Sequence, residues 1–137
     1  MKSVGEGMAI DRTFEAAIQK AARMLGLDQN GLVASYARLT QKYPHVKAQI
    51  PGDIDHDTLV WLIKNPNEHR LLAITQALKQ GMAVADIVRL SQIDAWFIYK
   101  IKNITDLMAR ISKLAKPEKS LILTAKQYGF SDKQIAV

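Results

Sequence analysis

At 137 residues, with 48% hydrophobic and 23% charged side chains, the sequence suits one soluble globular domain, or one domain with an arm. It has no cysteine, which excludes disulfides and thiolate metal sites and fits a reducing compartment. The formal charge of +6 permits a polyanion partner, but the basic residues are scattered from Lys2 to Lys133 and read as a solvated surface, and no apolar run approaches the roughly 18 residues of a membrane span.

Residues 1–10 carry Gly5 and Gly7, have no helical period and lack the apolar core of a signal peptide. They read as an extended arm whose backbone groups need a partner from elsewhere. Thr13 then suits the N-cap of a helix with Phe14, Ala17, Ile18, Ala21 and Leu25 on its apolar face and Gly26 as the residue that ends it. A second amphipathic piece carries Leu32, Tyr36, Leu39 and Tyr43 and stops at Pro44. Residues 45–57 read as a long loop.

A short helix with Leu59, Leu62 and Ile63 on one face and Trp61 beside them ends at Asn65-Pro66. Asn67 is placed to cap the next helix, which carries Leu71, Ile74, Ala77 and Leu78 and ends at Gly81. Val84 to Leu90 forms another, with Ile87 and Leu90 inward. Asp94 is the N-cap of a helix of about 17 residues, the longest in the chain, with Phe97, Ile101, Ile104, Met108 and Ile111 as its apolar stripe and Trp96 beside it. The other helices are expected to pack around it. Pro117 suits the first turn of a helix bearing Leu121, Ala125 and Tyr128 and ending at Gly129. Ser131 and Gln134 make a capping box that opens a further helix close to Val137. A helix that short does not hold itself. With the unpartnered arm, it predicts that the chain is a piece of something longer. The fold class is all-α: an irregular bundle of about six or seven short helices with an extended N-terminal arm.

Chemistry is sparse. Asp53, Asp55, His56 and Asp57 are the one dense group of hard-cation ligands, but they lack the glycine and glutamate positions of a calcium loop, so a polar loop with helix caps is the better reading. His45, His56 and His69 have no zinc spacing. Gly5-Glu6-Gly7 lacks the remainder of a phosphate loop, and no Gly-x-Ser-x-Gly elbow is present. No catalytic, cofactor-binding or metal residue is assigned. Residues 84–111 have helix-turn-helix proportions, with Lys100, Lys102 and Arg110 within reach of phosphates, which leaves a stand-alone nucleic-acid-binding module as the alternative. Against it, the first turn of the would-be reading helix is Ala95, Trp96, Phe97 and Ile98, which have no groups to read base edges and call for burial.

Three ordered tracts resemble the large subunit of carbamoyl-phosphate synthase. Met1-Lys2-Ser3-Val4-Gly5-Glu6 with Met8-Ala9-Ile10, Arg12-Thr13-Phe14-Glu15 and Gln19-Lys20-Ala21 is similar to the tail of that family's first ATP-grasp unit. Asn65-Pro66, Arg70-Leu71-Leu72-Ala73-Ile74, Gly81, Ile87, Leu90, Ile93-Asp94, Trp96-Phe97 and Ile101 resemble its helical oligomerisation domain. Ala125-Lys126 with Gly129-Phe130-Ser131-Asp132-Lys133-Gln134-Ile135-Ala136 resembles that domain's later helices. Gly7, Asp11 and Ala83 depart from the pattern, and Ala83 costs its helix a capping side chain worth about 1 kcal/mol.

The resemblance implies three parts: 1–26 as the ATP-grasp tail, 27–56 as a linker and variable region, and 57–137 as the oligomerisation domain. It implies a non-catalytic scaffold in a parent that makes carbamoyl phosphate from bicarbonate, ammonia and two ATP, with Mg or Mn, in the cytoplasm. The implied partners are both ATP-grasp halves, a glutaminase that supplies the ammonia, and possible further copies of the chain, with neither nucleic acid nor membrane. Trp96, Ile98, Tyr99 and Ile122 are the interface candidates, on the expectation that Ile98, Tyr99 and Ile122 are exposed. Gly5, Glu6, Arg12, Arg70, Asp94, Trp96, Phe97, Gly129 and Phe130 are the structural positions of the motif.

Overall fold

A computed structural model describes residues 7–24, 31–32, 54–114 and 117–136. The expectations for Gly5, Glu6, Leu25, Gly26, the 36–44 helix and Asp53 lie outside these residues. Among the described residues there are seven helices and no strand: α1 (Phe14–Met24), α2 (His56–Lys64), α3 (Arg70–Lys79), α4 (Val84–Ser91), α5 (Ala95–Ser112), α6 (Lys119–Gln127) and α7 (Asp132–Ile135). Residues 7–10 have no regular structure. The chain divides into two units, one of residues 35–105 and one of residues 1–34 with 106–137, so α5 contributes to both.

The helix boundaries follow side-chain chemistry. Thr13 Oγ1 accepts from the Ala16 N–H (3.2 Å), Asp94 Oδ1 from the Trp96 N–H (2.8 Å) and Asp55 Oδ1 from the Thr58 N–H (2.9 Å). Gly81 and Gly129 follow α3 and α6 with φ of +87° and +79°, the left-handed conformation that glycine adopts at little cost. Ala83 opens α4 with no side-chain bond, as expected of alanine. Two caps differ from expectation. The residue before α3 is His69. Asn67 acts two residues earlier, where its Oδ1 accepts from the His69 N–H (2.9 Å) and forms a turn into the helix. Pro117 precedes the first turn of α6, because Glu118 is extended (φ −63°, ψ 150°) and is itself the N-cap.

In the 35–105 unit, Ile54, Leu59, Leu62, Ile63, Leu72, Ile74, Ile87, Ile98 and Ile101 form a continuous core with the alanines of α3. Residues 72–77 are all buried, so α3 is enclosed on every side. That corrects the expectation that the shorter helices gather around α5: here α3 is the enclosed helix. Arg70 fastens this unit. Its Nε donates to the Ile63 carbonyl (2.7 Å) and its Nη2 to the Ser91 carbonyl, so one guanidinium serves carbonyls at the C-terminal ends of α2 and α4. Gln80 Nε2 donates to the Ile54 carbonyl (2.9 Å) and ties the end of α3 to the residues just before α2.

Both carboxylate oxygens of Asp55 serve the start of α2, since Thr58 Oγ1 donates to Oδ2 (2.7 Å) while its N–H donates to Oδ1. The Thr58 N–H, then the Thr58 hydroxyl, hold the Asp55 carboxyl below its ordinary 3.8. The folded state therefore prefers the charged form. The resulting stability is present above the unfolded-state pKa and is lost as pH falls through the lower folded value. Asp55→Ala should lower stability by about 1 kcal/mol at pH 6 in a urea titration, and the difference from the parent chain should shrink below the ordinary aspartate pKa.

In the other unit, α1 shows a different buried face from the expected one. Glu15, Ala16, Gln19 and Ala22 are buried, whereas Phe14, Ala17, Ile18 and Ala21 are only half-buried. The cause is what α1 packs against. The Ala16 backbone lies so close to Gly129 that a Cβ on the glycine would come within 2.9 Å of Ala16 Cα, Gln19 Nε2 donates to the Tyr128 carbonyl (2.8 Å), and Arg23 Nη1 donates to the Gly129 carbonyl (2.6 Å). A turn that presents carbonyls requires donors and small side chains opposite it, so polar residues occupy the inner face. The capping box of α7 is formed as expected, with Ser131 and Gln134 bonding reciprocally.

Candidate interaction surface

The first turns of α5 carry the most conspicuous surface feature. Trp96 is 51% exposed, Phe97 42% and Tyr99 57%, all within four residues. The Trp96 and Phe97 rings meet edge to face at 5.0 Å between centroids, and Lys100 Nζ lies 5.3 Å from the Trp96 ring. Asp94 caps this turn, its Oδ1 accepting from the Trp96 N–H. Exposed aromatic bodies with an adjoining cation make a surface suited to contact with another protein face.

Of the expected apolar stripe of α5, Ile101, Ile104 and Ile111 are buried, and Phe97 and Met108 are not. The buried positions are Ile98, Ile101, Ile104, Thr105, Leu107 and Ile111, whereas Phe97 is exposed and Met108 half-buried. Both sets obey steps of three and four, so periodicity alone does not choose between them. Ile98 is 0% exposed, which removes it as an exposed interface residue: it belongs to the core. Ile122 is half-buried and its neighbour Leu123 is exposed instead. The expectation that the first turn of α5 calls for burial is corrected at Trp96 and Phe97.

The motif positions have identifiable structural tasks. Arg12 is exposed, and its N–H donates to Asp11 Oδ1 (2.8 Å). Arg70 bridges two helix ends and Asp94 caps α5, as described above. Gly129 has both the positive φ and a close approach to α1, and Phe130 is buried. Sequence reasoning missed the tasks of Gln19 and Arg23. Their signal was the spacing of Glu15, Gln19 and Arg23, four apart along one helix face, which periodicity marks as a polar stripe without saying that it faces inward.

The described residues offer little chemistry. Among them, no group of three His, Cys, Asp or Glu is placed to hold a metal ion. A cleft lined by Arg110, Leu114, Glu118, Ser120, Leu121 and Thr124 contains two hydroxyls, and both are engaged locally. Thr124 Oγ1 donates to the Ser120 carbonyl (3.0 Å), and Ser120 Oγ approaches Glu118 Oε2 at 3.5 Å. Thr124 is bonded to a backbone carbonyl, which is no base, and the Glu118 carboxylate meets Ser120 only at the outer limit of a hydrogen bond, on the exposed surface. None of the described helices is long and apolar enough to cross a membrane.

The family described as "Carbamoyl-phosphate synthetase large chain, oligomerisation domain" matches residues 6–137. The chain belongs to that family. It is 40% identical over 137 residues to the carbamoyl phosphate synthase large chain of Campylobacter jejuni, covering all of this chain and 11% of that one. It is 38% identical to the mitochondrial carbamoyl-phosphate synthase [ammonia] of Mus musculus, over 99% of this chain and 8% of the mouse protein. The N-terminal section of the Aquifex aeolicus large chain is 38% identical over 99% of this chain and 22% of its own length. The chain thus spans about a tenth of the Campylobacter large chain. Neither this membership nor the first turn of α5 supports the nucleic-acid alternative, since that turn presents rings where base-reading amides and guanidiniums would stand.

Proposed function

We propose that this oligomerisation domain is a non-catalytic scaffold and self-association module, with the Trp96, Phe97 and Tyr99 face of α5 as its contact surface. The observation that carries the reading is the exposure of three aromatic residues within one turn of a helix whose other face is fully committed to the core. Trp and Tyr are the side chains that most often dominate an interface, because they bury much area at little entropic cost. The parent is then an ATP-dependent ligase that forms carbamoyl phosphate from bicarbonate, ammonia and two ATP, with the metal, the nucleotides and the glutaminase contacts held by other parts of the enzyme. This part would connect its ATP-grasp halves. The name of the Aquifex relative, an N-terminal section, supports a position alongside the first half. We place the parent in the cytoplasm.

Sedimentation equilibrium over a wide concentration range tests the self-association. The expected result is a reversible dimer or higher species whose association weakens by about tenfold or more in Trp96→Glu or Tyr99→Glu. A monomer at every concentration would overturn self-association by this chain and leave it an intramolecular spacer.

A further inference from the structure

Gln19 and Gln134 lie 115 residues apart in sequence and form a buried pair, with Gln134 Nε2 donating to Gln19 Oε1 at 2.9 Å. Each amide has a second task. Gln134 Oε1 accepts from the Ser131 N–H (2.9 Å), which is one half of the α7 capping box. Gln19 Nε2 donates to the Tyr128 carbonyl (2.8 Å), at the end of α6. The bonds therefore run from Ser131 through Gln134 and Gln19 to Tyr128 and close a ring across α1 and the α6–α7 turn. Gly31 lies over the pair: a Cβ there would come within 2.5 Å of Gln134 Nε2 and 2.6 Å of Gln19 Oε1.

The consequence lies in α7, which has four residues and is far too short to persist by itself. Its order depends on the capping box, and that box uses the same amide whose other end holds α1. We infer that Gln134 is a latch: the folding of α7 and the docking of α1 are one event, so loosening the last described helix releases the first. In a chain whose relatives extend well beyond the matched segment, such a latch passes movement at one end of this unit to the other. The coupling lies within one chain and does not depend on self-association, so the two readings fail separately.

Hydrogen exchange on the full chain tests it with Ser131→Ala, Gln134→Glu and Gln19→Ala. Ser131→Ala removes the hydroxyl of α7's own cap, yet it should speed exchange across Phe14–Met24 about fivefold. Gln134→Glu keeps the cap acceptor but loses the donor to Gln19, and should speed the same amides by about tenfold or more. Gln19→Ala should speed exchange across Ser131–Ala136 in turn. Unchanged protection across His56–Ser91 verifies that the 35–105 unit stays folded in each variant. Faster exchange in α7 alone under Ser131→Ala, with Phe14–Met24 at the parent rate, overturns the latch, as does a Gln19→Ala chain that loosens α1 and leaves α7 unchanged.

Discussion

Gly129→Ala should cost about 2–4 kcal/mol of stability, and Gly81→Ala only about 1, although the two glycines end neighbouring kinds of helix in the same way. Both have positive φ, +79° and +87°, and an alanine at either position meets the same left-handed penalty of about 1–2 kcal/mol. Their surroundings differ. A Cβ on Gly81 meets nothing within 4 Å, whereas one on Gly129 would stand 2.9 Å from Ala16 Cα and 3.1 Å from the Ala16 carbonyl oxygen. Those neighbours are backbone atoms of α1 and do not turn aside as a flexible side chain would. Relief requires α1 to move off the turn, which stretches the bonds from Gln19 to the Tyr128 carbonyl and from Arg23 to the Gly129 carbonyl. Urea unfolding followed by circular dichroism measures both costs. Equal midpoints for the two variants would mean that α1 does not press on this turn in solution.

The contrast between these glycines also marks where the sequence stops being legible. That each helix ends at a glycine was readable, because a periodic apolar run followed by glycine has few other meanings. So were the starts at Thr13, Asp94 and Ser131, which are local chemistry between residues two or three apart. What Gly129 approaches is not local: Ala16 lies more than a hundred positions earlier, and only the fold brings it near. The same holds for Arg70, whose acceptors are carbonyls that any residue supplies, and for Gln19, whose burial contradicts its side-chain type until its partners are known. The candidate surface was legible in part. Trp96 and Tyr99 were singled out as interface residues and are exposed, but Ile98 between them is core. One residue is 100° around a helix, so exchanging Ile98 for Phe97 at the start of the stripe turns that position by more than a quarter turn, enough to carry it from core to surface.

That exchange gives the other large effect. Ile98→Ala should destabilise the chain by about 3 kcal/mol, while Phe97→Ala should cost about 1 kcal/mol or less. Ile98 is fully buried beside Ile87, Ile101 and the rest of the 35–105 core, so truncation removes most of an aliphatic side chain and leaves a cavity that surrounding isoleucines and leucines only partly refill. Phe97 is the larger residue, and area alone would rank it first. But 42% of it is already in solvent, and its ring meets that of Trp96, itself half-exposed. Truncating it returns only part of the ring's covered area to water and opens no enclosed cavity in the free chain. The two variants should also separate by observable. Ile98→Ala should shift the unfolding midpoint without weakening association among the molecules that remain folded, whereas Phe97→Ala should leave the midpoint almost in place and weaken association. Thermal unfolding and sedimentation equilibrium on the same two samples give both numbers. A Phe97→Ala chain that unfolds more readily than Ile98→Ala would put the phenyl ring in the core and remove the aromatic face on which the proposed contact depends.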